Sequence, residues 1–405
     1  MITLEIVLWA LIAAMVIVTS GLIMCWRPWR RVARLQPEPE SEPTATETAE
    51  TAETADAAPA GTAAGLPRLS VIVYTEDGED EIASCVEMLC AQDYPDKEIV
   101  VVCRTTAASR EIISGRLAGH DNVYVTFIPP DSHNLSERKL AITLGLKAAT
   151  GDIVLTTASN IRPASEHWLS DMARPFTNRH IEIVLGYSHM DSAEMRGAGR
   201  WYRQYDSLMT SGLWLGYALN GKPYRGDGFN LAFRRATFFA HKGYARNMFL
   251  HYGDDDLFVN EIAKAGNSAV VLNPGSIITT EWGASANRMW TLRKSRYQFT
   301  SRWLPNGPFV RASLVGWCNW LLLAALGASV PVGIAVCPYS IAVPAVCWIA
   351  AQLFQISSYR RMAANLGAVR LWWAVPLFLL AHPVLNFFFK INNHSLRKVN
   401  YTWQH

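Results

Sequence analysis

Several common catalytic signatures are missing from this chain. It has no Gly-x-x-x-x-Gly-Lys loop to cradle a nucleoside triphosphate, no His-Glu-x-x-His pair for zinc, and no Gly-x-Ser-x-Gly elbow. Seven cysteines occur (Cys25, Cys85, Cys90, Cys103, Cys318, Cys337 and Cys347), and none forms a Cys-x-x-Cys pair. Neither a zinc site nor a disulfide framework follows from that spacing. They read as small apolar side chains in a reducing compartment. Charge is scarce too: 18% of the 405 residues are charged against 50% hydrophobic, and the formal net charge is +3. Without a basic field, nucleic acid is excluded as the main partner.

What is abundant is apolar sequence at the two ends. Ile6 to Met24 carries no charge and is long enough to cross a bilayer, which takes roughly 20 apolar residues. Trp26, Arg27, Trp29, Arg30, Arg31 and Arg34 follow, and arginines on that side predict a cytoplasmic exit. Glu5, rather than a basic residue, precedes the run, so a retained anchor is expected instead of a cleaved signal. From Gln36 to about Gly65, Pro-Glu and Thr-Ala-Glu repeats offer almost nothing to bury, as expected of a disordered acidic tether. Ala312 to Gln355 fits two spans joined by a tight turn, and Leu371 to Phe389 is a third apolar stretch. A full third crossing would put Lys390, Arg397 and Lys398 outside, so a re-entrant or interfacial course is an alternative. The expected division is an anchor at 1–26, a basic segment and linker at 27–66, a globular domain at 67–305 and a membrane region of two to three apolar segments at 306–405.

Between the apolar ends, strand and helix patterns alternate. Leu69–Tyr74, Glu98–Cys103, Val123–Phe127 and Asp152–Thr157 read as strands, and Glu81–Ala91 and Ser136–Ala149 as helices. Short β-branched runs separated by helices imply an α/β fold with a mostly parallel sheet covered on both faces. Ligands in such sheets bind beyond the carboxyl ends of the strands. Further on, Gly253 precedes the acidic run Asp254-Asp255-Asp256, and Leu257, Phe258 and Ile262 follow at helical spacing. Carboxylates are favoured at a helix N-terminus. Crowding also drives their pKa values apart, which can leave one of them a usable base. A capped, solvated helix start explains the same residues without any catalysis.

Four pieces in order resemble the family 2 glycosyltransferases of the GT-A fold. They are Leu69–Val73 with its polar loop Tyr74-Thr75-Glu76-Asp77, Ala91-Gln92-Asp93-Tyr94-Pro95, Lys139 through Asp152, and Gly226 through Arg235, the last followed by the aspartate triplet. The resemblance covers about Leu69 to Trp303. It implies inverting transfer of a sugar from a nucleotide-sugar donor, most simply a UDP-sugar, to a glycan or lipid-linked acceptor. It implies Asp254 as the base, with Asp255 second and Asp256 capping the helix or holding acceptor hydroxyls. Donor contacts are expected from Tyr74, Glu76, Asp77, Arg104, Lys139, Ser159, Asn160 and Arg162. Acceptor or membrane-proximal contacts are expected from Gly228, Asn230, Gln298, Arg302 and Trp303.

The chain departs from the family where a divalent cation should sit. The Asp-x-Asp position is Ala158-Ser159-Asn160, and hard cations want oxygen ligands, preferably charged. A Mg²⁺ or Mn²⁺ site on Asn160 should therefore be weak. Three readings compete: basic side chains such as Arg138, Lys139 or Arg162 neutralise the diphosphate; a metal binds with reduced affinity; or the domain is a non-catalytic binding partner. Gln298-x-x-x-Arg302-Trp303 has one residue more than the Q-x-x-R-W signature of processive members, and it equally fits an interfacial helix. The organisation as a whole predicts a multi-pass inner-membrane enzyme with its catalytic domain in the cytoplasm.

Overall fold

The protein is described by a computed structural model covering residues 2–35, 65–74, 79–104, 119–129, 136–191, 193, 195–197, 199–336 and 341–392. The apolar run at the N-terminus forms one helix, α1 (Ile2–Cys25). The arginine-rich segment turns into a short helix, α2 (Arg27–Ala33), with Pro28 in its first turn, where a missing N–H costs nothing. Pro28, Trp29, Val32 and Ala33 are buried.

Next comes β1 (Leu69–Tyr74), buried along its whole length. It alternates between two cores. Leu69, Val71 and Val73 pack with Ile82, Val86 and Leu89 of α3 (Glu79–Cys90), in one apolar cluster. Ile72 joins Val100 and Val102 of β2 (Lys97–Arg104) and Ala141, Ile142 and Leu146 of α4 (Glu137–Ala148) in the other. Both faces are thus apolar, which is why the strand reads as a continuous hydrophobic run. β3 (Val123–Ile128), β2, β1 and β4 (Ile153–Ala158) pair in parallel, in that order across the sheet. These four strands and the two helices form within two residues of the sequence expectation.

Beyond β4 the sheet becomes mixed. After β5 (Ile161–Pro163) and α5 (Trp168–Ala173) come β6 (Ile183–Leu185), β7 (Ser188–Met190) and the long helix α6 (Arg200–Ala218). β8 (Leu231–Arg234) inserts antiparallel between β4 and β6, and β9 (Ser268–Val270) runs parallel beside β6. A small second sheet, β5-β10-β7 with β10 at Ile278–Thr280, lies past the end of β4. α7 (Arg235–Ala240) and α8 (Asp256–Ile262) follow β8, and α9 (Ala286–Thr300) follows the small sheet.

The chain then enters α10 (Asn306–Val336), α11 (Ala342–Asn365) and α12 (Val375–Asn392). Among the described residues three helices are long and apolar enough to cross a membrane: Leu4–Cys25, Asn306–Val336 and Trp372–Asn392. α11 is not one of them; it carries Gln352, Gln355, Tyr359, Arg360 and Arg361. Its glutamines belong to a buried polar knot in which Gln355 accepts from Trp26 Nε1 (3.0 Å) and Asn319 Nδ2 (3.0 Å), and Gln352 donates to Asn319 (3.0 Å). Buried amides without such partners would be costly, so the knot fixes α1, α10 and α11 in register.

The membrane helices and the sheet domain share one core. Trp29 Nε1 donates to Met209 O of α6 (2.8 Å), and Asn365 Nδ2 of α11 donates to Val32 O of α2 (2.8 Å). Gly216 allows the backbones of α6 and α2 to touch: a Cβ there would stand 2.1 Å from Pro28 O. The acidic linker expected at 36–65 falls outside the described residues, apart from its last glycine.

Candidate active site

The carboxylate triplet is built by a glycine and a helix start. Gly253 has φ +101°, a conformation side chains resist, and the chain turns there into α8. A Cβ at Gly253 would also meet Leu257 at 2.5 Å. The three aspartates then take three different environments. Asp256 is buried, and its carboxylate accepts from Thr300 Oγ1 and from Leu257 N (2.9 Å), with Arg225 at 3.5 Å. Asp254 is buried and forms an ion pair with Arg138 Nε at 2.6 Å. Asp255 is half-buried on the cleft wall; its carboxylate accepts the backbone N–H groups of Asp256 (2.7 Å) and Gly228 (3.3 Å). Burial and the charges of Asp254 and Asp256 push Asp255 up to about 8, with Arg138 pulling the other way. Burial raises Asp256 as well, against Arg225 and the Thr300 hydrogen bond.

Gly228 sits against this group. A Cβ there would come within 2.8 Å of Arg138 and 3.2 Å of Asp255, so only glycine leaves Arg138 in place. The Arg138 guanidinium also lies 4.7 Å from the centroid of the Phe229 ring, a cation–π stack. Asp227, Phe229, Trp282, Arg293 and Tyr297 complete the cleft around the triplet. Arg293 is held by Asp227 at 2.6 Å, and Asp227 in turn accepts from Ser188.

Lys139 is not at the cleft surface. Its ammonium is fully buried and donates to the carbonyls of Asn247 (2.6 Å), Leu250 (3.1 Å) and Tyr252 (2.9 Å). Burial lowers its pKa to about 8, with the three aspartates opposing. It pins the loop that presents the triplet instead of meeting a donor directly. Asn230 is also interior: it donates to Tyr187 O and Ser276 O and accepts from Trp168 Nε1.

The end of β4 explains the missing carboxylates in part. Asn160 Nδ2 donates to Glu281 O at 2.7 Å, and Glu281 N donates back to Asn160 O at 2.9 Å. An aspartate at 160 could not make the first bond. Arg162 pairs with the Glu281 carboxylate, so both are engaged with each other. Ser159 is buried beside them. Among the described residues no group of three or more His, Cys, Asp or Glu side chains could hold a metal ion. The donor set here is one amide, one hydroxyl and one carboxylate already neutralised by arginine, a poor fit to a resident divalent cation.

The remaining expected residues are scattered. Tyr74 is buried in the core at the end of β1, and Arg104 closes β2. Glu76 and Asp77 fall outside the described residues. Gln298 and Arg302 line a second, larger cavity that shares Arg293 and Tyr297 with the cleft, and Trp303 is exposed and packs on Phe299. Sequence reasoning passed over Arg225, Phe229, Arg293, Tyr297 and Thr300 as site residues. Phe229, Arg293, Tyr297 and Thr300 line the cleft, Phe229 from the segment before β8 and the others from α9, while Arg225 meets Asp256 from that same segment; tertiary folding alone makes them neighbours. An arginine facing an aspartate 66 positions away leaves no local signal.

Residues 70–240 match the model of glycosyl transferase family 2. No protein among the curated sequences matches the chain. Among solved structures, a mannosyltransferase from Pyrobaculum calidifontis in complex with GDP-mannose and Mn²⁺ is similar over 96% of this chain and 99% of its own, at 19% identity and a TM-score of 0.52. GalNAc-T7 with UDP, GalNAc and Mn²⁺ aligns at 15% identity and a TM-score of 0.40, covering 54% of this chain and 44% of its own. Glucosyl-3-phosphoglycerate synthase from Mycobacterium tuberculosis aligns at 15% identity and 0.35, covering 56% and 76%. The fold likeness rests on the first of these. With the family match lying on β1 to α7 and the triplet beyond it, residues 70–240 carry a domain that matches glycosyl transferase family 2, in a chain whose fold is like that of a GT-A enzyme.

Proposed function

We propose that the protein is a membrane-embedded inverting glycosyltransferase in which Asp255 is the general base. The observation that carries this is the difference among the three carboxylates. Asp254 is held by Arg138 and Asp256 by Arg225 and Thr300, whereas among the described residues Asp255 is bonded only to backbone N–H groups and lines the cleft. The sequence alone favours Asp254; its ion pair argues for a positioning role there instead. A base whose pKa lies near the working pH combines availability with driving force.

In this reading an acceptor hydroxyl enters the cleft beside Asp255, which takes its proton as the oxygen attacks the anomeric carbon. The bond to the nucleoside diphosphate breaks on the opposite face, and the electron pair leaves with the diphosphate. Arg138, stacked on Phe229, is the cation nearest the reacting carboxylates and the best candidate to meet the donor's negative charge. GDP-mannose in the Pyrobaculum relative supports a nucleoside-diphosphate sugar as donor. That relative also holds Mn²⁺; here, among the described residues, the expected position offers Ser159, Asn160 and the Arg162-paired Glu281, so a weak metal requirement is expected.

The two basic clusters support a cytoplasmic domain. Arg30 and Arg31 of α2 and Arg360 and Arg361 of α11 belong to helices that pack together next to α6. Both therefore sit on the side of the catalytic domain, as positive-inside placement requires. The test is turnover of a panel of nucleotide sugars by the detergent-purified chain, with Mn²⁺ and with EDTA, against Asp255→Asn. Turnover by the wild type and its loss in the variant is expected. Binding of no donor at all would favour a non-catalytic partner protein.

A further inference from the structure

From Ile6 to Leu35 the chain has no aspartate or glutamate, and none follows Glu281. The arginines of α2 and α11 therefore find no carboxylate on their own helices. Arg27, Arg31 and Arg34 recur at helical spacing and form one stripe along α2. All three are exposed, while Pro28, Trp29, Val32 and Ala33 on the other side are buried. α11 lies alongside. The Arg30 guanidinium is 5.0 Å from the centroid of the Phe354 ring, and Asn365 Nδ2 donates to Val32 O (2.8 Å) and Leu35 O (3.0 Å). Phe354, Arg361 and Asn365 share one stripe of α11, so Arg361 falls between those two contacts with α2. Arg361 and its neighbour Arg360 are exposed. Exposed arginines of the sheet domain do meet carboxylates: Arg68 pairs with Asp96, Arg174 with Asp171 and Arg246 with Glu261. Among the described residues Arg27, Arg31, Arg34, Arg360 and Arg361 have no such partner.

We infer that this basic face binds the headgroups of anionic phospholipids in the bilayer that α1 enters. α2 starts directly beyond α1, a helix long and apolar enough to cross a membrane, so the stripe stands at the level of the headgroups. Guanidinium pairs with phosphate through two N–H groups. Phosphatidylglycerol brings that phosphate uncompensated, whereas phosphatidylcholine cancels it with its own ammonium. Charge, and not apolar insertion, makes the contact here. A helix lying in the interface buries its apolar face in lipid, but the apolar side of α2 is already taken by the protein. Trp29 donates to Met209 O of α6, and Gly216 of α6 lets the two backbones touch at Pro28. Lipid that holds the stripe thereby also holds α2 against α6 and the sheet domain. The chain's own acidic residues between Glu38 and Asp56 are the rival counter-charge for the same arginines.

The test titrates the detergent-purified full chain with dioleoyl phosphatidylglycerol, dioleoyl phosphatidylcholine or soluble glycerophosphoglycerol. Retained lipid is counted by native mass spectrometry, and melting is followed on the same samples. Each arginine beside an anionic headgroup is expected to contribute about fivefold in affinity. Phosphatidylglycerol should therefore bind at least about tenfold tighter than phosphatidylcholine and raise the melting temperature, and the soluble headgroup should do neither. The fourfold variant Arg31→Gln, Arg34→Gln, Arg360→Gln, Arg361→Gln should lose the preference, while Arg174→Gln with Arg179→Gln on the sheet domain should keep it. If the fourfold variant does not stay monodisperse, the α2 pair and the α11 pair are read separately, and each should cut the preference several-fold. An undiminished preference in these variants overturns the proposal. So does equal binding of the two lipids by the wild type, the result expected if residues 38–56 already neutralise the arginines. Glycerophosphoglycerol binding as tightly as the lipid would also overturn it, since the site would then take a free anion.

Discussion

Asp255 is an aspartate whose neighbours work against its charge. Its pKa is pushed up to about 8 by burial and by Asp254 and Asp256. The folded value lies above the ordinary aspartate value of about 4, so the folded state keeps the proton to higher pH than the unfolded chain. Stability is therefore fullest below about pH 4 for this group and drains away as pH climbs toward about 8. Asp255→Asn should remove that drain. We expect the variant to melt several degrees above wild type at pH 8.5 and close to it at pH 5, while transfer falls by about 10²–10⁴-fold. Equal melting curves at both pH values would contradict the crowding of charge described here. Asn160 offers a second test. Asn160→Asp places a carboxylate against Glu281 O, where an amide now donates at 2.7 Å. The variant should melt lower in EDTA and recover with Mn²⁺, which would sit between the two oxygens. No recovery would mean this corner cannot gather a cation even with the carboxylate restored.

At the scale of elements, the loop between α7 and α8 depends on one lysine from another helix. Lys139 of α4 holds three carbonyls of residues 247–252. Lys139→Met would orphan all three, at about 1–3 kcal/mol for each buried group that finds no new partner. Amides 244–256 should exchange much faster in the variant, read by hydrogen exchange, and transfer should fall with them. Unchanged protection would show the loop is held elsewhere. This arrangement also marks how far the sequence could be read. β1, β2 and β4 were legible because strands buried on both faces have an unmistakable apolar run, β3 because its β-branched and aromatic residues mark a strand even at the half-buried sheet edge, and α8 because Gly253 and the aspartates mark its start. The partition of roles within the triplet was not legible, since it depends on Arg138 from α4, Arg225 from the β6–β8 region and Thr300 from α9. Lys139 was expected at the donor because the motif brings it to the right helix; its burial under the 247–252 loop is a tertiary fact.

For the whole molecule, the apolar ends are not detachable accessories. α2 lies against α6, and Trp26 ties α1 to α10 and α11 through Gln355 and Asn319. Gly216→Val should drive α2 away from α6, because even a Cβ would stand 2.1 Å from Pro28 O. We expect lower melting and earlier proteolysis at residues 27–35, and the isolated 66–305 segment should aggregate through the exposed apolar face of α6. A stable, monodisperse 66–305 fragment would contradict a shared core. The three candidate spans were visible as apolar runs; their joint packing with the catalytic domain was not, because the contacts join residues as far apart as Trp26 and Gln355.

The central claim is that one carboxylate of the triplet, Asp255, takes the acceptor's proton. The measurement that tests it most directly is the pH dependence of sugar transfer by the full chain, wild type beside Asp254→Asn and Asp255→Asn. We predict that wild-type kcat rises with pH and levels off above about 8, where the Asp255 carboxylate is ionised. Asp255→Asn should lose both activity and the rise, whereas Asp254→Asn should keep a residual rate whose rise moves to lower pH, since one repelling charge is gone. If Asp255→Asn retains the pH-dependent rate and Asp254→Asn abolishes it, the base is Asp254 and the assignment made here is wrong.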